Sequence, residues 1–124
     1  MKTNSFKDLI VWQKAYHLVK EMYEFTKGFP SEETYGLAQQ MRRAAVAIPS
    51  NIAEGYGRRS SKEYRQFLSV SYGSLCELET QYLLSIDLHF GKNVQVLEQL
   101  LDEVGRMLYR MLHPLKQTSP VRSI

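Results

Sequence analysis

The residues most able to do chemistry in this chain are three histidines, one cysteine, thirteen carboxylates and a cluster of arginines and lysines. A carboxylate-bridged pair of metal ions inside a helical bundle needs inward glutamates and a Glu-x-x-His step on two of the helices. Three residues before His17, His89 and His113 stand Lys14, Ile86 and Arg110, so no histidine belongs to such a step. Zinc needs paired cysteine or histidine ligands at short spacing, and none is present. Cys76 lies between Leu75 and Leu78, away from any basic residue; this is the setting of a reduced, packed thiol, not an activated nucleophile. Gly55-Tyr56-Gly57 has neither Walker spacing nor a preceding strand, which makes it a helix-ending turn and not a phosphate loop. The sequence therefore leads us to expect no catalytic residue, no cofactor and no metal. An enzymatic site would need titratable groups converging in a pocket, for instance between subunits.

What remains is charge. Arg42, Arg43, Arg58, Arg59, Lys62 and Arg65 against Glu54 and Glu63 concentrate positive charge in one segment of a chain whose net charge is +3. Arg58, Arg59 and Lys62 sit where a helix should begin, and free backbone amides with the positive end of the helix dipole receive phosphate there. Arg58, Arg59, Lys62 and Arg65 are thus candidate contacts to the phosphates of RNA or DNA, and an ordinary solvated basic turn is the competing reading. Nothing in the pattern signals readout of base edges.

The elements that must position these residues follow from hydrophobic period and punctuation. Leu9, Trp12, Tyr16, Val19 and Tyr23 recur at steps of three and four from Asp8 to Lys27, predicting a first helix with that stripe inward. Gly28-Phe29-Pro30 ends it, and Ser31 with Glu32 and Glu33 suits the start of a second helix. That helix runs to Gly55, with a kink expected at Pro49 because proline lacks the amide hydrogen; Gly55 and Gly57 supply left-handed geometry at its end. Ser60 and Glu63 make a capping box opening a third helix, whose seam is Leu68, Ser71, Leu75, Leu78 and Tyr82. Val94, Leu97, Leu101, Val104, Leu108, Met111 and Leu115 carry the fourth. Short connections make neighbours antiparallel. The expected fold is all-α, an antiparallel up-and-down four-helix bundle over residues 1–116 with a flexible tail over 117–124. The spacing of Tyr16, Tyr23, Tyr64, Phe67 and Tyr82 reads as core, leaving Tyr56 as the aromatic beside the basic turn. Without an apolar run of about 18 residues or a signal region the chain reads as cytoplasmic and not membrane-bound.

The helices carry more apolar surface than one bundle uses. The second helix adds Ala38, Ala45, Val46, Pro49 and Ala53 beside its main face, the first adds Ala15, Leu18, Met22 and Phe25, and the third has Ser69, Gly73, Cys76 and Thr80 off its seam. A helix apolar nearly all round expects neighbours nearly all round, so a homo-oligomer is expected. Its interface residues are Arg42, Arg43, Val46, Pro49, Ala53 and Glu54, with Arg43 to Glu54 and Arg42 to Glu79 as ion pairs between helices or subunits.

The run from Gly36 to Ala45 (GLAQQMRRAA), followed by Ile48 to Arg59 (IPSNIAEGYGRR), resembles the signature of the bacterial four-helix bundle proteins named for intervening sequences in 23S ribosomal RNA. Phe6-Lys7-Asp8-Leu9, Val11 to Ala15, and Gly73-Ser74-Leu75 with Glu77-Leu78-Glu79 extend the likeness over about residues 6 to 115. Ala47 replaces a common serine, and Tyr72 stands where arginine often precedes Gly-Ser, which removes one cation from the family's pattern. The resemblance implies a bundle that assembles as a barrel-like pentamer, and kinship to the accessory variability proteins of diversity-generating retroelements, which bind nucleic acid and a reverse transcriptase. The expectation is a non-enzymatic oligomeric scaffold contacting RNA or DNA; the alternative is a protein–protein interaction module with no nucleic-acid role.

Overall fold

The structure, a computed structural model, describes residues 5–114. The tail over 117–124, together with Leu115 and Lys116, lies outside the described residues. A short 3-10 turn at Phe6–Asp8 leads into α1 (Ile10–Lys27); α2 (Leu37–Tyr56), α3 (Ser61–Asp87) and α4 (Gln95–Leu112) follow. Each helix packs on its chain neighbours, and α4 closes the ring on α1, while diagonal pairs make no close backbone approach. Three contacts fix the antiparallel order. Arg42 near the start of α2 bonds Thr26 at the end of α1. Tyr56 at the end of α2 meets Tyr64 at the start of α3, and Arg65 there reaches Leu112 at the end of α4. One end of the bundle therefore gathers the start of α1, the α2–α3 turn and the end of α4.

The seam of α3 is as the sequence predicts, with Leu68, Ser71, Leu75, Leu78 and Tyr82 buried; that of α4 buries Leu97, Leu101, Val104 and Leu108 as expected, adds Leu100 and Leu112, and leaves Val94 and Met111 half-buried. The face of α1 differs from expectation. Val11, Ala15, Leu18 and Met22 form its buried side, while Tyr16 and Tyr23 are 50% and 39% exposed and Trp12 and Val19 are half-buried. Two apolar stripes lie side by side on this helix, and the one with smaller, purely aliphatic members turns inward because a close-packed core accepts it without needing partners for phenolic hydroxyls. Cys76 is likewise exposed, not packed, because it flanks the seam that Leu75 and Leu78 occupy.

Helix ends differ from expectation in informative ways. Ser31–Glu33 is a separate 3-10 turn, so α2 begins only at Leu37, whose amide is capped by the Glu33 carboxylate at 3.1 Å. The helix runs unbroken through Pro49. No glycine has positive φ; among the described residues the one left-handed residue is His89, at φ 64. It closes α3, with Phe90 N–H donating to Ser85 O and His89 N–H to Ile86 O, the paired bonds of a Schellman ending. The capping box does form, with Ser60 Oγ accepting from Glu63 N–H at 3.1 Å.

Tyr82 ties α3 to the start of α4. Its buried hydroxyl donates to Glu98 Oε2 and accepts from Val94 N–H, each at 2.8 Å, satisfying an amide that the first turn of α4 would leave orphaned. Asn93 donates to the same carboxylate at 2.7 Å, and these two bonds, Asn93 first, hold the Glu98 carboxyl below its ordinary range.

Gly55 has a packing role. A Cβ there would lie 2.7 Å from Phe67 Cβ and 3.0 Å from the Tyr64 ring, so only glycine lets the end of α2 rest on the start of α3. Gly55→Ala should destabilise the fold by about 1–3 kcal/mol through overpacking, seen as a lower melting temperature and an earlier urea midpoint. An unchanged midpoint would show that the two helices can part at no cost.

Candidate nucleic-acid interface

The turn between α2 and α3 carries the basic residues because two local devices hold it tight: the close seat of Gly55 and the Ser60 cap. Gly57 N–H donates back to Ala53 O at 3.2 Å and Arg58 N–H to Gly55 O at 3.0 Å, so three residues after the helix the chain is already turning into α3. The four candidate cations then divide by their surroundings. Arg58 is ion-paired with Glu54 at 2.8 Å, with its guanidinium 4.8 Å over the Phe67 ring. Arg65 donates to Leu112 O at 2.9 Å, answering one of the carbonyls left open at the end of α4. Arg59 and Lys62 are exposed and make no ion pair or hydrogen bond with any described residue. Sequence reasoning did not separate the two free cations from the two that close the fold: Glu54, four residues before Arg58, is a local partner, whereas Leu112, which takes Arg65, lies on another helix.

The patch belongs to a polarised molecule. The end that holds it also carries Lys7, Lys14, Arg106 and Arg110, whereas from Gln66 to Gly91 the chain has no lysine or arginine and its charges are Glu77, Glu79 and Asp87. Lys14 is paired with Glu103 at 3.1 Å and Arg106 with Asp102 at 3.1 Å; Arg110 is exposed with no described partner.

Five of the six expected interface residues, Arg42, Arg43, Val46, Pro49 and Ala53, line the α1–α2 side, and Glu54 lies by the α2–α3 turn, on Arg58. Val46 is 41% exposed, and with half-buried Ala53 it lines a groove whose opposite wall is Trp12, Tyr16 and Val19. Pro49 is buried, so it forms the floor of that groove and is not itself a free surface. Trp12 and Tyr16 stack at 4.9 Å, and Lys20 lies 5.1 Å over Tyr16. Arg42 turns inward, donating to Thr26 Oγ1 at 2.8 Å and Tyr23 O at 3.3 Å while covering the Tyr23 ring at 4.6 Å. Arg43 is exposed without a described partner, and Glu54 is taken by Arg58 within the chain. Within one chain, Arg42 thus takes partners on α1 and Glu54 takes one in the next turn, and neither expected ion pair forms between the helices. Ser69, Gly73, Cys76 and Thr80 are all exposed on the outer face of α3. The exposed aromatic wall on α1 was missed because its residues keep the same three-and-four spacing as a core stripe.

Among the described residues no group of three or more histidine, cysteine, aspartate or glutamate side chains stands where it could hold a metal ion, and no helix is long and apolar enough to cross a membrane. The fold and the patch define a class: an all-α four-helix bundle with a basic turn at one end. Residues 7–110 match the family model described as 23S rRNA-intervening sequence protein. That span is most of the chain, and the protein belongs to this family. No curated protein matches it.

Different surroundings imply different responses to substitution. Arg65→Ala should lower stability by about 1 kcal/mol, because a carbonyl at the end of α4 loses its donor, whereas Arg59→Ala and Lys62→Ala should stay within about 0.5 kcal/mol of the native chain. Thermal melts of the three variants check this; equal effects would mean that Arg65 is as free as the other two.

Proposed function

We propose that this protein is a non-enzymatic, homo-oligomeric scaffold of the cytoplasm that holds RNA or DNA by its phosphates at the α2–α3 turn. The observation that carries the reading is the pair of uncompensated cations, Arg59 and Lys62, at the amino end of a 27-residue helix. Phosphate is favoured there by side-chain charge and by free backbone amides together. Arg58 and Arg65 add field at short range while remaining tied to Glu54 and Leu112.

Assembly supports the same reading. The α1–α2 groove leaves tyrosine, tryptophan and valine surface uncovered, and α3 offers small residues on which a second copy could lie closely. A ring of copies, five in the form that the family resemblance implies, repeats a two-cation site around an axis. Repetition raises effective concentration, so weak binding per subunit becomes useful affinity. A reverse transcriptase is the protein partner that the same resemblance implies. The second reading, a protein–protein module with an incidental basic turn, draws on the uncovered aromatic wall of α1.

Binding to structured RNA and to single-stranded DNA across a salt series separates them. The native chain should bind with affinity falling steeply as salt rises, and Arg59→Ala with Lys62→Ala should reduce the logarithmic salt slope by about two if both cations neutralise phosphates in one subunit. No binding at low salt would reject the phosphate reading and leave the protein module. Mass measurement at micromolar concentration tests assembly alongside: a monomer there would remove the oligomeric part of the proposal.

A further inference from the structure

Beside the basic turn, α3 and α4 enclose a surface groove of about 460 Å³, within the roughly 300–1,000 Å³ usual for small-ligand clefts. Its character changes along its length. The end far from the turn carries Glu79 and the Asp102–Arg106 ion pair. The near end is aromatic and basic: Tyr109 is 47% exposed, His113 is stacked on it at 4.1 Å and 21°, Tyr72 lies 6.2 Å behind, and Arg110 is free beside them. Gly105 lets the helices draw together at the floor, since a Cβ there would come within 2.9 Å of Leu75 Cδ2. Arg65, which donates to Leu112 O across the two helices, stands between this end of the groove and the turn that carries Arg59 and Lys62.

An exposed tyrosine on a polar face needs no partner, but a stacked Tyr109–His113 pair, with Tyr72 tilted at 54° behind it and the free Arg110 beside it, is the kind of surface that recognises unpaired nucleobases. Base faces extend the stack, and phosphates follow the positive charge. We propose that the near end of the α3–α4 groove holds unpaired bases of single-stranded RNA or DNA against Tyr109 and His113, with flanking phosphates on Arg110 and the basic turn. Beyond the Asp102–Arg106 ion pair, Glu79 repels phosphate and sets the limit of the path. A duplex, whose bases are already stacked on one another, gains the phosphate contacts alone. The inference rests on the phosphate-binding reading above and adds a preference among nucleic acids.

The local alternative is that these rings only close α4, since His113 Nδ1 lies 3.0 Å from Tyr109 O. Anisotropy titrations with labelled single-stranded RNA, single-stranded DNA and a blunt duplex of the same length distinguish the two. The native chain should favour both single strands over the duplex. Tyr109→Leu with His113→Ala, which keeps apolar bulk beside Tyr72, should weaken single-strand binding by roughly tenfold, within the range for losing a stacked base, and leave duplex binding unchanged. Tyr109→Phe should retain the native preference. Arg59→Ala with Lys62→Ala should weaken all three ligands, so its failure marks the phosphate reading and not this one. Equal loss on duplex and single strand, or native single-strand affinity in the double variant, would overturn the proposal. Cross-linking of 4-thiouridine-labelled RNA to the native chain needs no variant: linkage at Tyr109 or His113 supports the site, and linkage confined to the α1–α2 groove overturns it.

Discussion

The close approach of α2 and α3 is the constraint on which the rest of the molecule depends. Ser71 Oγ donates to Ile48 O at 2.9 Å in the middle of that seam, and Gly55 is pressed on Phe67 and Tyr64 at its end. A side chain at Gly55 would splay the pair where the chain reverses. The reversal is short because the helices are close, and its shortness concentrates Arg58, Arg59 and Lys62 into about one turn of chain. The same seam places Arg65 on the side facing α4, so helix packing and the arrangement of charge are set by one contact.

Polar groups inside the bundle act as local anchors. Tyr82 reaches both a carboxylate and a helix-end amide with one hydroxyl, and Thr26, itself buried, accepts from Arg42 while donating to Met22 O. In a bundle whose seams are otherwise aliphatic, such bonds fix rotation and register where Leu and Ile packing alone would tolerate sliding. Arg42 is therefore partly a packing residue. Its stem and guanidinium cover Tyr23, so charge on this side of α2 is presented by Arg43.

The fold was legible in the sequence because its rules are local. Period, the capping box at Ser60, and the apolar steps of α3 and α4 all depend on residues within a few positions of one another. Two things were not legible. The rotation of α1 is a choice between two apolar stripes of the same spacing, which period alone does not make; side-chain size and the need for hydroxyl partners decide it once α2 and α4 are in place. The fate of Arg65 depends on the end of another helix, at Leu112, 47 residues further on, whereas the pairing of Arg58 with Glu54 is a local contact. Left-handed geometry at His89 was hidden for a different reason: a residue with a Cβ occupies a site usually given to glycine.

The antiparallel order has an electrostatic consequence. Each end of the bundle presents two helix amino termini and two carboxyl termini, so the four macrodipoles oppose one another and largely cancel at a distance. The long-range field along the axis is therefore written by side chains, with basic residues gathered at the end holding the α2–α3 turn and Glu77, Glu79 and Asp87 spread along α3 away from it. If the proposed phosphate contacts hold, side-chain charge would turn this end towards a polyanion before contact, and the amino end of α3 would add to the attraction only at close range.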